Sequence, residues 1–209
     1  VDDEAVCDKF ANVDIRSDQM FGEMNQDIDY VFHFAGISSL PECQSKPYKA
    51  IDVNAAGTAQ VLEAARCRGV KRVIFASTSA IYENDKSFPN KESDASSPDL
   101  IYSMSKLQAE MICKSYYENY GLEVVILRYH NVYGPHQDYR RKSPPFIGYV
   151  LKNLIQEKPI ILHSDGNQKR DYVYVDDVIE INKICMTHPD APGNIFNVAS
   201  GEAYSVNEI

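Results

Sequence analysis

The sequence predicts an α/β fold, a doubly wound parallel sheet with helices on both faces. Three observations carry this. Short, almost wholly apolar runs recur along the 209 residues, and such runs read as strands buried on both sides. Segments of helical periodicity separate them, and this alternation is the signature of a parallel sheet. Two of the helical segments stop at Gly69 and Gly121, a residue type that suits the position just past a helix end.

The elements follow in order. Residues 29–35, DYVFHFA, form a buried strand that ends at Gly36. Residues 46–68 carry a helix whose apolar stripe is Ile51, Ala55, Ala59, Val61, Leu62 and Ala65. KRVIFAS at 71–77 is the next strand, and a polar loop containing proline spans 83–98. Asp99 is placed to cap a long helix that runs to about Tyr120. EVVILRY at 123–129 is a third buried strand. The loop 131–145 is long and rich in turn residues, which marks it as functional rather than scaffold. A helix over 146–156, short strands over 159–162 and 172–175, and a helix opened by Asp176 and Asp177 follow. NIFNV at 194–198 reads as strand, and Ser205 is placed to cap a last helix.

Composition narrows the function. The chain is 44% apolar with a net charge of −9, so it has a sizeable core and no dominant face for nucleic acid or an anionic membrane. No apolar run approaches the ~20 residues that span a bilayer. The polar, acidic start VDDEAVCDKF does not read as a signal peptide. Five scattered cysteines without a C-x-x-C pair predict free thiols in a reducing cytosol. The five histidines lack ligand spacing, so no metal site is expected.

In an open parallel sheet, ligands sit at the carboxyl ends of the strands. Those ends carry unusual residues: Phe34-Ala35-Gly36 after the first strand, Ser77-Thr78-Ser79 after the second, and Arg128-Tyr129-His130-Asn131 after the third. Arg170, in a loop after the short strand near 162, is a cation able to grip phosphate. Between the second and third ends stands YSMSK at 102–106. Tyr102 and Lys106 share a helix face at this spacing. A phenol beside an ammonium has its phenolate favoured and suits acid/base work. The pair also reads as an ordinary surface contact, and with 14 tyrosines roughly one such spacing arises by chance.

Taken together the motifs resolve the ambiguity. They are DIR at 14–16, HFAG at 33–36, DVN at 52–54 with Gly57-Thr58, STSAIY at 77–82, YSMSK at 102–106, LRYHNVYGP at 127–135 and RDYVYVDD at 170–177. In this order and spacing the chain resembles the extended short-chain dehydrogenase/reductases of the NAD-dependent nucleotide-sugar epimerase/dehydratase family, nearest to UDP-glucose 4-epimerase-like enzymes. The resemblance implies a Rossmann-type sheet over 1–133 that binds NAD. It implies that 134–209 is mostly a small substrate-binding segment whose strands and helices partly return to that sheet. It implies Tyr102 as acid/base, Lys106 as its electrostatic partner and ribose ligand, and Thr78 as the hydroxyl that holds the reacting sugar oxygen. Asp14, Ile15, Phe34, Ala35, Gly36, Asn54, Tyr129 and His130 match cofactor contacts. Asn131, His163 and Arg170 match positions that hold the nucleotide sugar. The resemblance also implies a cytoplasmic homodimer, paired through the Tyr102 helix and the one before it.

The chain departs from the family pattern. No G-x-x-G-x-x-G precedes Asp14, and elements usual at the C-terminus do not follow, so the resemblance implies a piece of a longer protein without its first strand–helix–strand unit. Thr78 is followed by Ser79 and Ala80, where dehydratases of the family carry Asp-Glu and decarboxylases carry Glu at the second position. This favours C4 epimerisation over a 4,6-dehydratase, with a 4-keto reductase as a further alternative, and the presence of Thr78, Tyr102 and Lys106 together argues against a non-catalytic dinucleotide-binding regulator. His130 replaces a common aromatic. Glu83 replaces a frequent glycine, without an evident role.

Overall fold

Each long apolar run becomes a strand because both of its faces find cover. The computed structural model describes residues 10–24, 27–85, 88–94, 97–162 and 164–209. In chain order these contain α1 (Gln19–Glu23), β1 (Tyr30–His33), α2 (Leu40–Ser45), α3 (Pro47–Ile51), α4 (Gly57–Arg68) and β2 (Arg72–Thr78). Then come α5 (Ile101–Tyr120), β3 (Glu123–Tyr129), β4 (Asn131–Tyr133), α6 (Phe146–Ile155), β5 (Lys169–Tyr174), α7 (Val175–Thr187), β6 (Ile195–Val198) and β7 (Ala203–Ser205).

The main sheet is wholly parallel, in the order β1-β2-β3-β6. Side chains alternate across a strand, so one run serves two cores. Val73 and Phe75 of β2 and Val124 and Ile126 of β3 meet Val61, Leu62 and Ala65 of α4 and Ala109 and Cys113 of α5. The residues between them, Ile74, Val125 and Leu127, meet Val178 and Cys185 of α7 on the other face. Burying each large apolar side chain contributes roughly 1.5–3 kcal/mol. The expected α/β architecture, with helices on both faces, is therefore present. A smaller sheet, β4-β5-β7, pairs β4 with β5 in parallel and β5 with β7 antiparallel.

Four local expectations need correction. The helix over 46–68 is interrupted by a π-helical turn, Asp52–Ala56, with α3 before it and α4 after it. Residues 159–162 form no strand, because the Tyr149 hydroxyl takes up the backbone of Ile161 on both sides, at 2.9 and 3.2 Å. Ser205 ends β7 and enters a turn, exchanging bonds with Glu208 rather than opening a helix. Asp99 does not cap α5. Leu100 occupies that position, and the free N–H groups there are met by side chains from elsewhere in the chain.

One buried ion pair ties α5 to the sheet. Arg128 of β3 grips Glu110 of α5 with two bonds, Nε to Oε1 at 3.0 Å and Nη2 to Oε2 at 2.7 Å. The Ser77 hydroxyl of β2 donates to the same carboxylate. Arg128 Nη1 also donates to the Tyr82 hydroxyl at 2.6 Å, which itself donates to Asn197 Oδ1 at 2.9 Å. Both charges are almost fully buried, with side-chain exposures of 5% and 4%. Removing one partner strands the other, at a cost of about 3–5 kcal/mol. Glu110→Ala is therefore expected to destabilise the protein by about that amount in denaturant unfolding. Adding Arg128→Met should then cost less than its effect alone; strict additivity of the two would contradict the coupling.

Candidate functional site

The carboxyl ends of β1, β2 and β3 enclose a cavity of about 290 Å³. Its walls come from five places in the chain. Phe34, Gly36, Ile37 and Ser38 follow β1. Asn54 comes from the π-helical turn, and Ala76, Ser77 and Thr78 from the end of β2. Tyr102 and Lys106 lie in the first turns of α5, and Tyr129 and His130 at the exit of β3. Parallel pairing aligns these exits, since Thr78 stands opposite Tyr129 in the register.

Thr78 ends β2 and caps a 3-10 turn, Ser79–Tyr82, its Oγ1 accepting the Ala80 N–H at 3.1 Å. The same side chain lines the cavity with the Tyr102 phenol and favours its ionised form. Lys106, one turn further along α5, is 7% exposed, and its Nζ lies 4.1 Å from the centroid of the Phe75 ring. Burial lowers its pKa to about 8. The Tyr102 phenol moves the other way. Burial raises it above its ordinary value, partly offset by the Thr78 hydroxyl and by the charge of Arg141. The helical spacing predicted a lowered phenol; in the protein alone desolvation outweighs the nearby charges.

Behind the cavity lies a neutral histidine. Thr58 donates its hydroxyl proton to Asn54 O at 2.7 Å, so the His33 Nε2 at 2.9 Å must be the donor to Thr58. Burial, and then the Lys106 charge, hold His33 down at about 4. Asn54 is fully engaged by the protein. Its Oδ1 accepts the Ile37 N–H at 2.7 Å, and its Nδ2 donates to Ile37 O and to Ser105 Oγ, both at 3.0 Å. It thereby shapes the turn after β1. A Cβ on Gly36 would lie 3.0 Å from Asn54 Oδ1, closer than nearly all real contacts, which accounts for the glycine.

The remaining walls suit a flat aromatic ligand with a polar edge. The Phe34 and Tyr129 rings stand 6.4 Å apart at 30°. The Tyr129 hydroxyl turns away, donating to Asn182 Oδ1 at 3.0 Å, and burial raises it to about 12. His130 Nδ1 is buried without a hydrogen-bond partner, a polar atom left for a ligand. A nicotinamide ring with its carboxamide has this chemistry, so the residues present fit NAD.

Other predicted residues stand outside this cavity. Ala35 lies within the exit of β1 but is not among the lining residues. Asp14 is held by Arg16, which also pairs with Asp52 of the π-helical turn at 2.6 Å. The Arg16 hydrogen bonds keep the Asp14 carboxyl well below the usual range. Ile15 packs over Gly57, where a Cβ would meet its Cδ1 at 2.7 Å. Asn131 in β4 donates to Asp171 O at 2.9 Å. Arg170 in β5 donates to Lys169 O and has no acidic partner among the described residues. His163 lies outside the described residues. The sequence reading passed over Ile37, Ser38, Ala76 and Ser77 as site residues. Their signal was position alone, at or just past a strand end.

Residues 2–199 match the model of the NAD dependent epimerase/dehydratase family. A candidate UDP-glucose 4-epimerase of Methanocaldococcus jannaschii is 34% identical over 203 residues, 96% of this chain and 65% of that protein. The structure of a UDP-glucose 4-epimerase from Thermotoga maritima with UDP-glucose superposes with a TM-score of 0.90 at 32% identity, covering 95% of this chain and 65% of that one. A UDP-glucuronic acid 4-epimerase from Bacillus cereus, solved with UDP-glucuronic acid and NAD, gives 0.86 at 30% identity, over 96% and 62% of the two chains. The chain thus spans somewhat under two thirds of the length of these relatives.

The buried groups make stability depend on pH with a defined sign. His33 is neutral in the fold down to about pH 4 but titrates at 6.5 when unfolded, so stability is lost as pH falls between these values. Lys106 releases its proton near pH 8 in the fold and near 10.5 when unfolded, so stability rises with pH across that window. The Cys113 thiol and the Tyr102, Tyr116 and Tyr129 phenols, all raised by burial, act in the opposite sense at alkaline pH. In denaturant unfolding of the cofactor-free protein, the stability difference between wild type and Lys106→Met should therefore shift in favour of wild type as pH rises from about 8 to 10.5, and a difference that does not change with pH would contradict the assignment.

Proposed function

This chain belongs to the NAD dependent epimerase/dehydratase family, and from that premise we propose that the protein epimerises a nucleotide sugar at C4, a UDP-hexose, through a 4-keto intermediate. One observation carries the reading. The Thr78 hydroxyl, the Tyr102 phenol and the Lys106 ammonium line one cavity at the carboxyl ends of the strands.

NAD, when bound, supplies reversible hydride transfer at C4. The chain supplies the proton path and the geometry. Tyr102 takes the proton of the sugar 4-hydroxyl and later returns it to the 4-keto oxygen. Thr78 holds that oxygen and relays the proton. Burial keeps Tyr102 protonated in the protein alone, the form that can return a proton. Its conversion to phenolate draws on positive charge: Arg141 favours it, and Lys106, which lines the cavity, is assigned the same role. Phe34, Tyr129 and His130 fit the nicotinamide end, and Asn54 acts by holding the turn at Ile37. Asp14 and Ile15 are assigned to the adenosine end, Asn131 and Arg170 to the nucleotide diphosphate sugar. Arg170 makes no ion pair among the described residues, which leaves its guanidinium for phosphate.

Epimerisation is favoured over dehydration because, among the described residues, none that lines the cavity carries a carboxyl group to assist loss of water. The same reading divides the protein into an NAD-binding part up to residue 133 and a mostly substrate-binding part beyond it. It extends to a cytoplasmic homodimer. Met111 of α5 is 67% exposed and available for such a contact, whereas Ile112 packs into the core. No helix among the described residues is long and apolar enough to cross a membrane.

In the full-length protein, Tyr102→Phe is expected to lower turnover of UDP-hexoses by at least about 10²-fold, the weight of a general acid/base, while NAD stays bound. Interconversion of UDP-glucose and UDP-galactose, followed by chromatography, measures this. Near-normal turnover by the variant, or a 4-keto-6-deoxy product from the wild type, would overturn the assignment.

A further inference from the structure

Glu83 lies outside the cavity, yet it joins the two elements that carry the reacting hydroxyls. It directly follows the turn Ser79–Tyr82 that Thr78 caps. Its carboxylate reaches across to the start of α5. Oε1 accepts the backbone N–H of Asp99 at 2.6 Å and of Leu100 at 2.8 Å, and Oε2 accepts the Ser103 hydroxyl at 2.9 Å. These contacts bracket Tyr102 on both sides in sequence. Gln44 of α2 adds a bond to the Ile101 N–H at 2.9 Å. A carboxylate is well suited to this place, where unpaired N–H groups and the positive end of the helix dipole converge.

The covalent path from Thr78 to Tyr102 runs through a long polar loop. The path through Glu83 is a single tight turn and one side chain. The shorter path is the stiffer one, and a hydroxyl pair that must share one sugar oxygen is sensitive to displacements of about 1 Å. Glu83 is the residue in this chain where the family resemblance leads one to expect glycine, which has no side chain to form the link.

We propose that Glu83 is a positioning residue, which sets the Tyr102 phenol against the Thr78 hydroxyl by clamping the first turn of α5 to the turn that follows β2. This inference rests on the acid/base reading of Thr78 and Tyr102. The carboxylate itself neither touches substrate nor moves a proton.

The test uses the full-length protein with NAD and UDP-hexose. Glu83→Ala is expected to lower kcat by roughly 10- to 100-fold, with little change in KM for the sugar. Glu83→Gln retains an acceptor oxygen and should recover most of the loss. In a Thr78→Ala background, where there is no hydroxyl to align, Glu83→Ala should change kcat by less than about twofold. A similar loss in both backgrounds, or a fall in Tm with unchanged kcat, would overturn the proposal. A second readout is independent of turnover. The Tyr102 phenol, followed by NMR with ring-labelled tyrosine, should titrate higher in Glu83→Ala, because the Thr78 hydroxyl that favours its phenolate is no longer held against it, and should stay in place in Glu83→Gln. An unmoved phenol in Glu83→Ala would refute the clamp. A wild type that binds NAD but turns over no nucleotide sugar would instead refute the proposed function, leaving this titration to decide on Glu83.

Discussion

The Glu110–Arg128 ion pair is the constraint on which the site depends. It sits one turn of α5 beyond Lys106 and joins that helix to β3 beside the point where β3 leaves the sheet. Through Ser77 it holds the residue before Thr78, and through Tyr82 it holds the turn that Thr78 caps. The hydroxyls and the ammonium at the cavity thus belong to elements locked together directly beneath it. Burying two charges is costly unless their bonds are nearly all made. Here Arg128 meets a carboxylate, a phenol and the Glu92 carbonyl, and Glu110 receives two bonds from Arg128 and one from Ser77. The pair specifies one arrangement of α5 on the sheet.

A second constraint is electrostatic. Lys106 and His33 both lie in the apolar layer around Phe75, and only one of them carries charge at neutral pH. The lysine rests on the ring face, where a cation is favoured. The histidine, desolvated and close to that charge, stays neutral and donates to Thr58. The Thr58–Asn54 bond then fixes the π-helical turn, and Asn54 fixes the wall at Ile37. A π-helical turn inside a helix commonly marks a functional site, and this one presents Asn54 to the turn after β1.

Much of this was legible in the sequence, for identifiable reasons. The strands β2 and β3 were readable because burial on both faces forces a continuous apolar run. Gly69 and Gly121 end α4 and α5 with φ of 72° and 68°, as their positions suggested. Thr78, Tyr129 and His130 were found because each stands at the carboxyl end of a strand, and Tyr102 and Lys106 because their helical spacing falls in register with the other motifs. What remained hidden depends on partners distant in sequence. Nothing near Asp99 shows that Glu83 and Gln44 meet the start of α5. The π-helical turn leaves no break in the apolar periodicity. The direction of the Tyr102 shift depends on burial, which spacing along a helix does not report.

The central claim is that the hydroxyl pair at this cavity serves removal and return of hydride at one sugar carbon. Full-length protein supplied with UDP-hexose deuterated at C4 tests it most directly. The account predicts a primary isotope effect on epimerisation and product that keeps its deuterium at C4, because the hydride returns to the carbon it left. Loss of the label to solvent, or epimerisation without an isotope effect at any step that breaks the C4 bond, would contradict it.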